Sequence, residues 1–512
     1  MQNAEGFAPA KAGDGVEMRG AIAAADVQEE RKIVWLLCLL AAIHVLVFCM
    51  AFPFFNNVDE PMHFDLVVKY SHGHPPRKLE RISAESAGYL AMFSSWAYTE
   101  IPARFPGDRM PSPPWTKPPQ IMRQQLDANI AGWQSLDNYE ASEAPLYYGL
   151  AGGWWRVGKL LGLKNGHLLY WLRFLNVAQM VALIWLAWFA ARLVFPENIF
   201  VRFAVPSLVA FMPQTAFYSI NNDMTSSLCF GAAFICLLKW LYGGKASALW
   251  AGATGLALAA TELTKATNLP LLGVTVIAVA VMLCREVNQR RAASSASRAG
   301  AGSARCLPEI GAFIACMALP VLAWTIWCKV NYGDWTGSKI KTEYLGWTVK
   351  KFADWWHHPI FTPPGFWTFL CGQLGSFWQG EFVWHAQPMA LPLSKSIYCV
   401  LSLILPAAIL PTLKRRFAGG GALQRFGLWF SLACCAALLA FFGFASVVYD
   451  FHNCTYPSRK HPYFVSGRLL LGVLIPFMLC FAYGLNQALN RLGNPAKFRV
   501  LGALILLMFA SE

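Results

Sequence analysis

Charge is what this chain has least of. Asp, Glu, Lys and Arg together make up 14% of the 512 residues, while 56% are hydrophobic. An ordinary soluble domain carries about a quarter charged residues, so this balance excludes that class. Acidic side chains are the scarcer sign, 28 against 42 Lys and Arg, for a formal net charge of +14. The excess does not read as a nucleic-acid surface. Its cations gather at the ends of apolar runs: Arg285, Arg290, Arg291, Arg298 and Arg305; Lys414, Arg415 and Arg416; Arg491, Lys497 and Arg499. Basic links of that kind mark the cytoplasmic side of a membrane protein. Metal-type spacing is missing as well, because the 14 cysteines include no CxxC and no Cys/His array. Cys38, Cys229, Cys236, Cys434 and Cys435 fall inside apolar runs, where a thiol serves as a small core residue. No cleavable leader, internal repeat or soluble C-terminal domain is evident.

Apolar runs are what is there instead. A bilayer-crossing helix needs about 20 mostly apolar residues. Runs of that order occupy 33–55, 168–192, 201–219, 224–242, 247–264, 268–284, 308–330, 394–413, 426–448 and 466–488, and a shorter one occupies 499–510. They predict an all-α polytopic membrane protein with about eleven spans. Residues 1–30 are polar and Ala/Gly-rich, predicting a disordered cytoplasmic N-terminus ahead of an uncleaved anchor.

With the basic links inside, residues 56–167 form a large outer loop after the first span. Residues 331–393 form a second outer segment and 450–465 a third. Residues 286–307 become a basic cytoplasmic loop, low in complexity over 292–303, between a first module at 31–285 and a C-terminal module at 308–512. The apolar stretch 144–163 is interrupted by Gly149, Gly152, Gly153, Arg156 and Lys159, and reads as an interfacial helix rather than a span. Cys371 and Cys454 fall in outer segments, where they either pair or stay free.

The polar residues with chemical capacity collect at the outer ends of the runs. Asn56-Asn57-Val58-Asp59-Glu60-Pro61-Met62-His63-Phe64 follows the first span directly. Carboxylates in that position either solvate a helix end or serve as a base or cation ligand. His63 lies four residues after Asp59, on the same helical face. It is available to bind an acceptor or metal, or to make a structural hydrogen bond. Asp223 heads a span, where it favours the helix N-terminus or supports chemistry. Asn222 or Asn221 is placed to cap the same helix.

Lys265, Arg468 and, more weakly, Arg173 are cations at outer helix ends. Each is suited to a phosphate, Arg468 best by its fork geometry, or to snorkelling toward headgroups. Lys265 also has Glu262 one turn away as an ion-pair partner. Tyr147, Tyr148 and the tryptophans of 335–384 suit sugar stacking or an interfacial belt.

The ordered set Asp59-Glu60 with His63-Phe64, Gly73-His74-Pro75-Pro76, Glu143-Ala144-Pro145-Leu146-Tyr147-Tyr148, Arg173, Pro213 before Asn222-Asp223-Met224, Leu263-Thr264-Lys265 and Gly467-Arg468 resembles the polytopic glycosyltransferases of the GT-C superfamily, such as protein O-mannosyltransferases and lipid A aminoarabinose transferases. It looks closest to bacterial predicted membrane proteins with the domain of unknown function 2142. Ala144 stands where the superfamily's proline-rich motif begins with proline, and Leu469 where its late motif has tyrosine.

The resemblance implies sugar transfer from a polyprenyl-phosphate donor to an envelope glycan, lipid or protein. The site would face the periplasm at a bacterial inner membrane. Asp59, matching the first carboxylate of the superfamily's pair, is the implied base. Glu60 would orient the acceptor or hold, with Asp59, a divalent cation such as Mg2+ or Mn2+. Asp223 would be a further active-site carboxylate, with His63, Asn222, Tyr147, Tyr148, Lys265, Arg468 and Arg173 binding substrate. The alternative is a transporter or flippase of lipid-linked glycan, which needs a polar path across the bilayer.

Overall fold

The computed structural model describes residues 14–94, 100–110, 112, 116–243, 247–294, 306–384, 387–414, 421–454 and 456–512. Residues 1–13, 295–303 of the low-complexity segment, and Arg305, Arg415 and Arg416 lie outside the described residues. The described part is mostly helical.

Eight helices among the described residues are long and apolar enough to cross a membrane: Val27–Ala51, Asn165–Val194, Asp223–Tyr242, Ala266–Arg285, Leu307–Tyr332, Ala422–Val448, Gly467–Ala488 and Asn494–Ser511. The count falls below the expected eleven because three apolar runs form shorter helices. Run 201–219 yields the twelve-residue helix Ile199–Ala210, which rises only about 18 Å against a hydrocarbon core of about 30 Å. Pro213 stops it, since the residue before a proline is driven out of the helical region. The chain then continues as the short 3-10 turn Thr215–Tyr218. Runs 247–264 and 394–413 form Ser247–Glu262 with 16 residues and Pro392–Ala408 with 17. Conversely, the run near 499–510, expected to be partial, belongs to the 18-residue helix Asn494–Ser511. The first helix starts at Asp14, so residues 14–30 are helical where disorder was expected.

The helices differ in what they bury. In Gly467–Ala488, 94% of the most apolar stretch is buried, whereas in Leu307–Tyr332 the figure is 6%. The first is therefore the axis of the bundle. The second turns Leu319, Leu322, Ile326 and Val330 outward, as suits a lipid-facing surface where water is absent.

A second, smaller core is separate from the main one. It joins Phe55, Phe64, Leu66 and Val67 to Tyr147, Tyr148, Trp155 and Leu169. The helix Glu60–Ser71 packs there against Pro145–Leu160. Gly152 permits the contact, because a Cβ at that position would lie 2.9 Å from the Ser71 nitrogen. Pro145–Leu160, expected to be interfacial, is not among the candidate spans.

The three segments expected outside meet at one end of the bundle. Tyr332 donates its hydroxyl to the Pro76 and Ala141 carbonyls. Lys341 pairs with Glu140. The two-residue strands Thr348–Val349 and Tyr449–Asp450 pair antiparallel, Thr348 opposite Asp450.

Candidate functional site

Asp59 shows how this end is built. It occupies the N-cap position of Glu60–Ser71, yet its side chain caps nothing. Its φ of 61° is left-handed, a conformation that costs a non-glycine residue of order 1 kcal/mol. The turned carboxylate accepts a hydrogen bond from the Tyr139 hydroxyl at 2.7 Å and pairs with Arg468. Solvation of a helix end does not describe it. Burial works against its charge, but Arg468 foremost, then Lys341, His63 and Tyr139, outweigh burial and hold the carboxyl well below the usual range.

Arg468 is the hub. It enters on the 3-10 turn that opens the central helix. Gly467 lets that turn lie directly on Pro363–Gln379, since a Cβ there would overlap the Phe377 nitrogen and the Gln373 carbonyl. One guanidinium nitrogen meets Asp59. Another lies 3.4 Å from Asp223, and Nε lies 3.8 Å from Glu381 without a hydrogen-bond partner. Asp223 is held on its other oxygen by Lys265. Lys265 therefore pairs with Asp223, and Glu262 keeps a buried oxygen without a partner. Asn221, not Asn222, satisfies the start of the helix, its Oδ1 accepting from the Asp223 nitrogen at 2.9 Å. Asn222 donates instead to the Thr264 carbonyl at 3.1 Å and to Glu143 at 3.3 Å.

His63 is buried beside this network. Its Nδ1 lies 2.7 Å from the Tyr148 hydroxyl, while Nε2 is buried with no partner. Burial first, then Arg468, pushes its pKa down to about 4, with Asp59 and Glu143 opposing, so the ring is neutral near pH 7. Tyr147 is buried edge-on against Tyr148 in the smaller core.

Glu60 and Arg173 stand apart from the hub. The Arg173 guanidinium bonds Glu60 at 2.9 and 3.2 Å and the Cys49, Phe52 and Pro53 carbonyls at 2.7 to 3.2 Å, using all five of its donors. The same Glu60 oxygen accepts from the Ile220 nitrogen at 3.0 Å. Asp59 and Glu60 thus face different partners and do not fit a divalent cation held between them. No group of three or more His, Cys, Asp or Glu side chains placed to hold a metal ion occurs among the described residues.

Four members of the site were not among the candidates. Tyr139 and Glu140 lie in the first outer loop, and Lys341 and Glu381 in the second outer segment. Burial raises the Glu140 carboxyl to about 8, Lys341 countering and Glu143 and Asp59 adding to the rise. Burial also raises Glu381, against the pull of Arg468. Lys341 is held charged by Glu140, Glu143 and Asp59 in spite of burial. The segment of Glu143 was legible as a motif, but the carboxylate itself was not singled out. Its pKa is lowered by Lys341 and Lys265 against burial.

An apolar cavity of about 240 Å³ is lined by Phe377, Leu403, Leu439, Leu470, Val473 and Phe477. Leu470 and Val473 belong to the same turn as Arg468. The site gathers three cations, five carboxyl groups and a neutral imidazole, and the turn that carries Arg468 continues into the wall of the apolar cavity.

No curated protein matches the chain. A family model does, over residues 42–449, and the chain belongs to that family, described as predicted membrane protein, DUF2142.

Proposed function

We propose that this protein is a membrane glycosyltransferase of GT-C type that moves a sugar from a polyprenyl-phosphate carrier to an envelope glycan, lipid or protein. By the positive-inside argument the site faces the periplasmic side of a bacterial inner membrane. The observation that carries the reading is Arg468, a buried guanidinium with an unused donor, on the same turn as Leu470 and Val473, which line an apolar cavity. That is the pairing an amphiphile with one phosphate and a hydrocarbon chain requires.

The residues divide the work. In this reading the lipid phosphate takes Arg468, with Lys265 adding positive charge as the phosphate departs. Arg468 then no longer holds Asp59 as tightly, and the loss of that pairing raises the proton affinity of the Asp59 carboxyl. Asp59 takes the proton from the acceptor hydroxyl as its oxygen attacks the anomeric carbon and the lipid phosphate leaves. His63 Nε2 and Asn222 orient the acceptor, and Asp223 keeps Lys265 and Arg468 in register. Glu60 and Arg173 brace the segment that carries Asp59.

The test is transfer of radiolabelled sugar from polyprenyl-phosphate donors into an envelope extract by membranes bearing wild type or Asp59→Asn. Transfer by wild type, falling about 10²- to 10⁴-fold in a variant that inserts normally, is the expected result. Equal transfer by both removes Asp59 as the base. Movement of labelled lipid-linked glycan across the bilayer without transfer by either supports the flippase alternative instead.

A further inference from the structure

Cys371 and Cys454 were the two thiols singled out as possible outer partners. They do not meet: Cys454 donates to the Tyr456 carbonyl. Cys371 lies instead against Cys399, Sγ to Sγ 3.0 Å, both as free thiols. The two belong to neighbouring helices, Pro363–Gln379 and Pro392–Ala408, which pack together. A disulfide has sulfurs about 2.05 Å apart, so closure needs a movement of about 1 Å.

The surroundings supply an approach. Cys371 lines a cavity of about 420 Å³ together with Gly372, Lys395, Tyr456 and His461. Tyr456 and His461 are exposed, so the cavity opens to the surface. Lys395 reaches across Gly375 and lines the same cavity. Leu370 and Leu374 from one helix, with Ser402 and Leu403 from the other, also line the apolar cavity. The thiols therefore sit in a wall shared by both cavities.

We propose that Cys371 and Cys399 form a reversible disulfide-exchange site that cross-links this wall. The oxidant is an external disulfide, of a small thiol or of a thiol-disulfide exchange protein. Cys371, facing the cavity, loses its proton to water and its thiolate attacks the external disulfide. One external thiolate leaves and a mixed disulfide remains. Cys399 then gives up its proton and attacks the Cys371 sulfur, expelling the second external thiolate. Two protein thiols are oxidised and one external disulfide is reduced to two thiols. This inference does not depend on the glycosyltransferase reading.

The experiment uses the full chain in lipid nanodiscs. It is equilibrated in graded ratios of oxidised to reduced glutathione, quenched with an alkylating agent, and cleaved with trypsin under non-reducing conditions. Cleavage after Lys395 separates the two cysteines into different peptides. The expected result is a cross-linked Cys371–Cys399 pair that replaces both alkylated peptides as the ratio rises and reverts with dithiothreitol. The cross-link is lost in Cys371→Ser and in Cys399→Ser and kept in Cys454→Ser. Both peptides staying alkylated at every ratio overturns the proposal, as does Cys371 joined to Cys454. The wild-type peptide map decides even where a variant fails to insert.

Discussion

Two buried arginines at the same end of the bundle have opposite environments. Arg173 is saturated: its five donors meet four acceptors, Glu60 Oε1 twice and three carbonyls, although Glu60 Oε2 has no partner. Arg468 faces three carboxylates, Asp59, Asp223 and Glu381, yet its Nε has no hydrogen-bond partner. Around it Glu381 Oε1, Glu140 Oε2, Asn222 Oδ1 and His63 Nε2 are buried without partners as well. Buried polar atoms are nearly always paired, and each orphan costs about 1–3 kcal/mol. Saturation marks a brace. Concentrated orphans mark a place where a ligand completes the network.

The sharpest way to break that contrast is to remove each arginine in turn. On the proposed reading, Arg468→Gln lowers sugar transfer by about 10²- to 10³-fold, the scale of losing one donor to a developing anion, in protein that still inserts. Arg173→Met acts on the fold instead. It strands Glu60 and should cost about 3–5 kcal/mol, seen as a lowered unfolding temperature in detergent. If Arg173→Met proves as stable as wild type, the brace assignment fails.

His63 gives a smaller effect with a defined sign. Its folded pKa is depressed to about 4 from the ordinary 6.5, so the fold binds fewer protons than the unfolded chain does. The stability this group contributes is fully present above about pH 6.5 and is lost as pH falls toward 4. About 3 kcal/mol is at stake. His63→Gln should flatten the stability curve in that window relative to wild type. Arg468, Asp59, Glu143 and Lys265 act on the same ring and set the residual slope. An unchanged slope would place the titration elsewhere.

The smallest effect comes from Glu381, a carboxyl whose burial disfavours its charge. Glu381→Gln should raise stability by about 1 kcal/mol while weakening transfer, the trade expected where a site carries uncompensated charge. Loss of stability would class Glu381 with the braces.

Much of this end was legible in the sequence. Asp59, Asp223, Lys265 and Arg468 stood out because each is a charge at the edge of an apolar run, and the structure joins all four in one network. Their partners were harder to see. Lys341, Glu140 and Glu381 lie in outer segments where charge is ordinary, and only tertiary packing covers them, Glu140 fully and the other two in part. Asp59-Glu60 read as one functional pair because the two are adjacent. The left-handed turn at Asp59 sends one carboxylate to Arg468 and the other to Arg173. In the same way, hydropathy registers run 201–219 as one block but not the break before Pro213 that splits it.

The most direct test of the central claim is binding. The unfolding temperature of wild type and of Arg468→Gln would be measured in nanodiscs against a polyprenyl phosphate and the matching uncharged polyprenol. A phosphate that completes the orphaned network raises the temperature of wild type, with the shift lost in Arg468→Gln and absent for polyprenol. Equal shifts for both lipids, or for both proteins, would contradict phosphate recognition by Arg468.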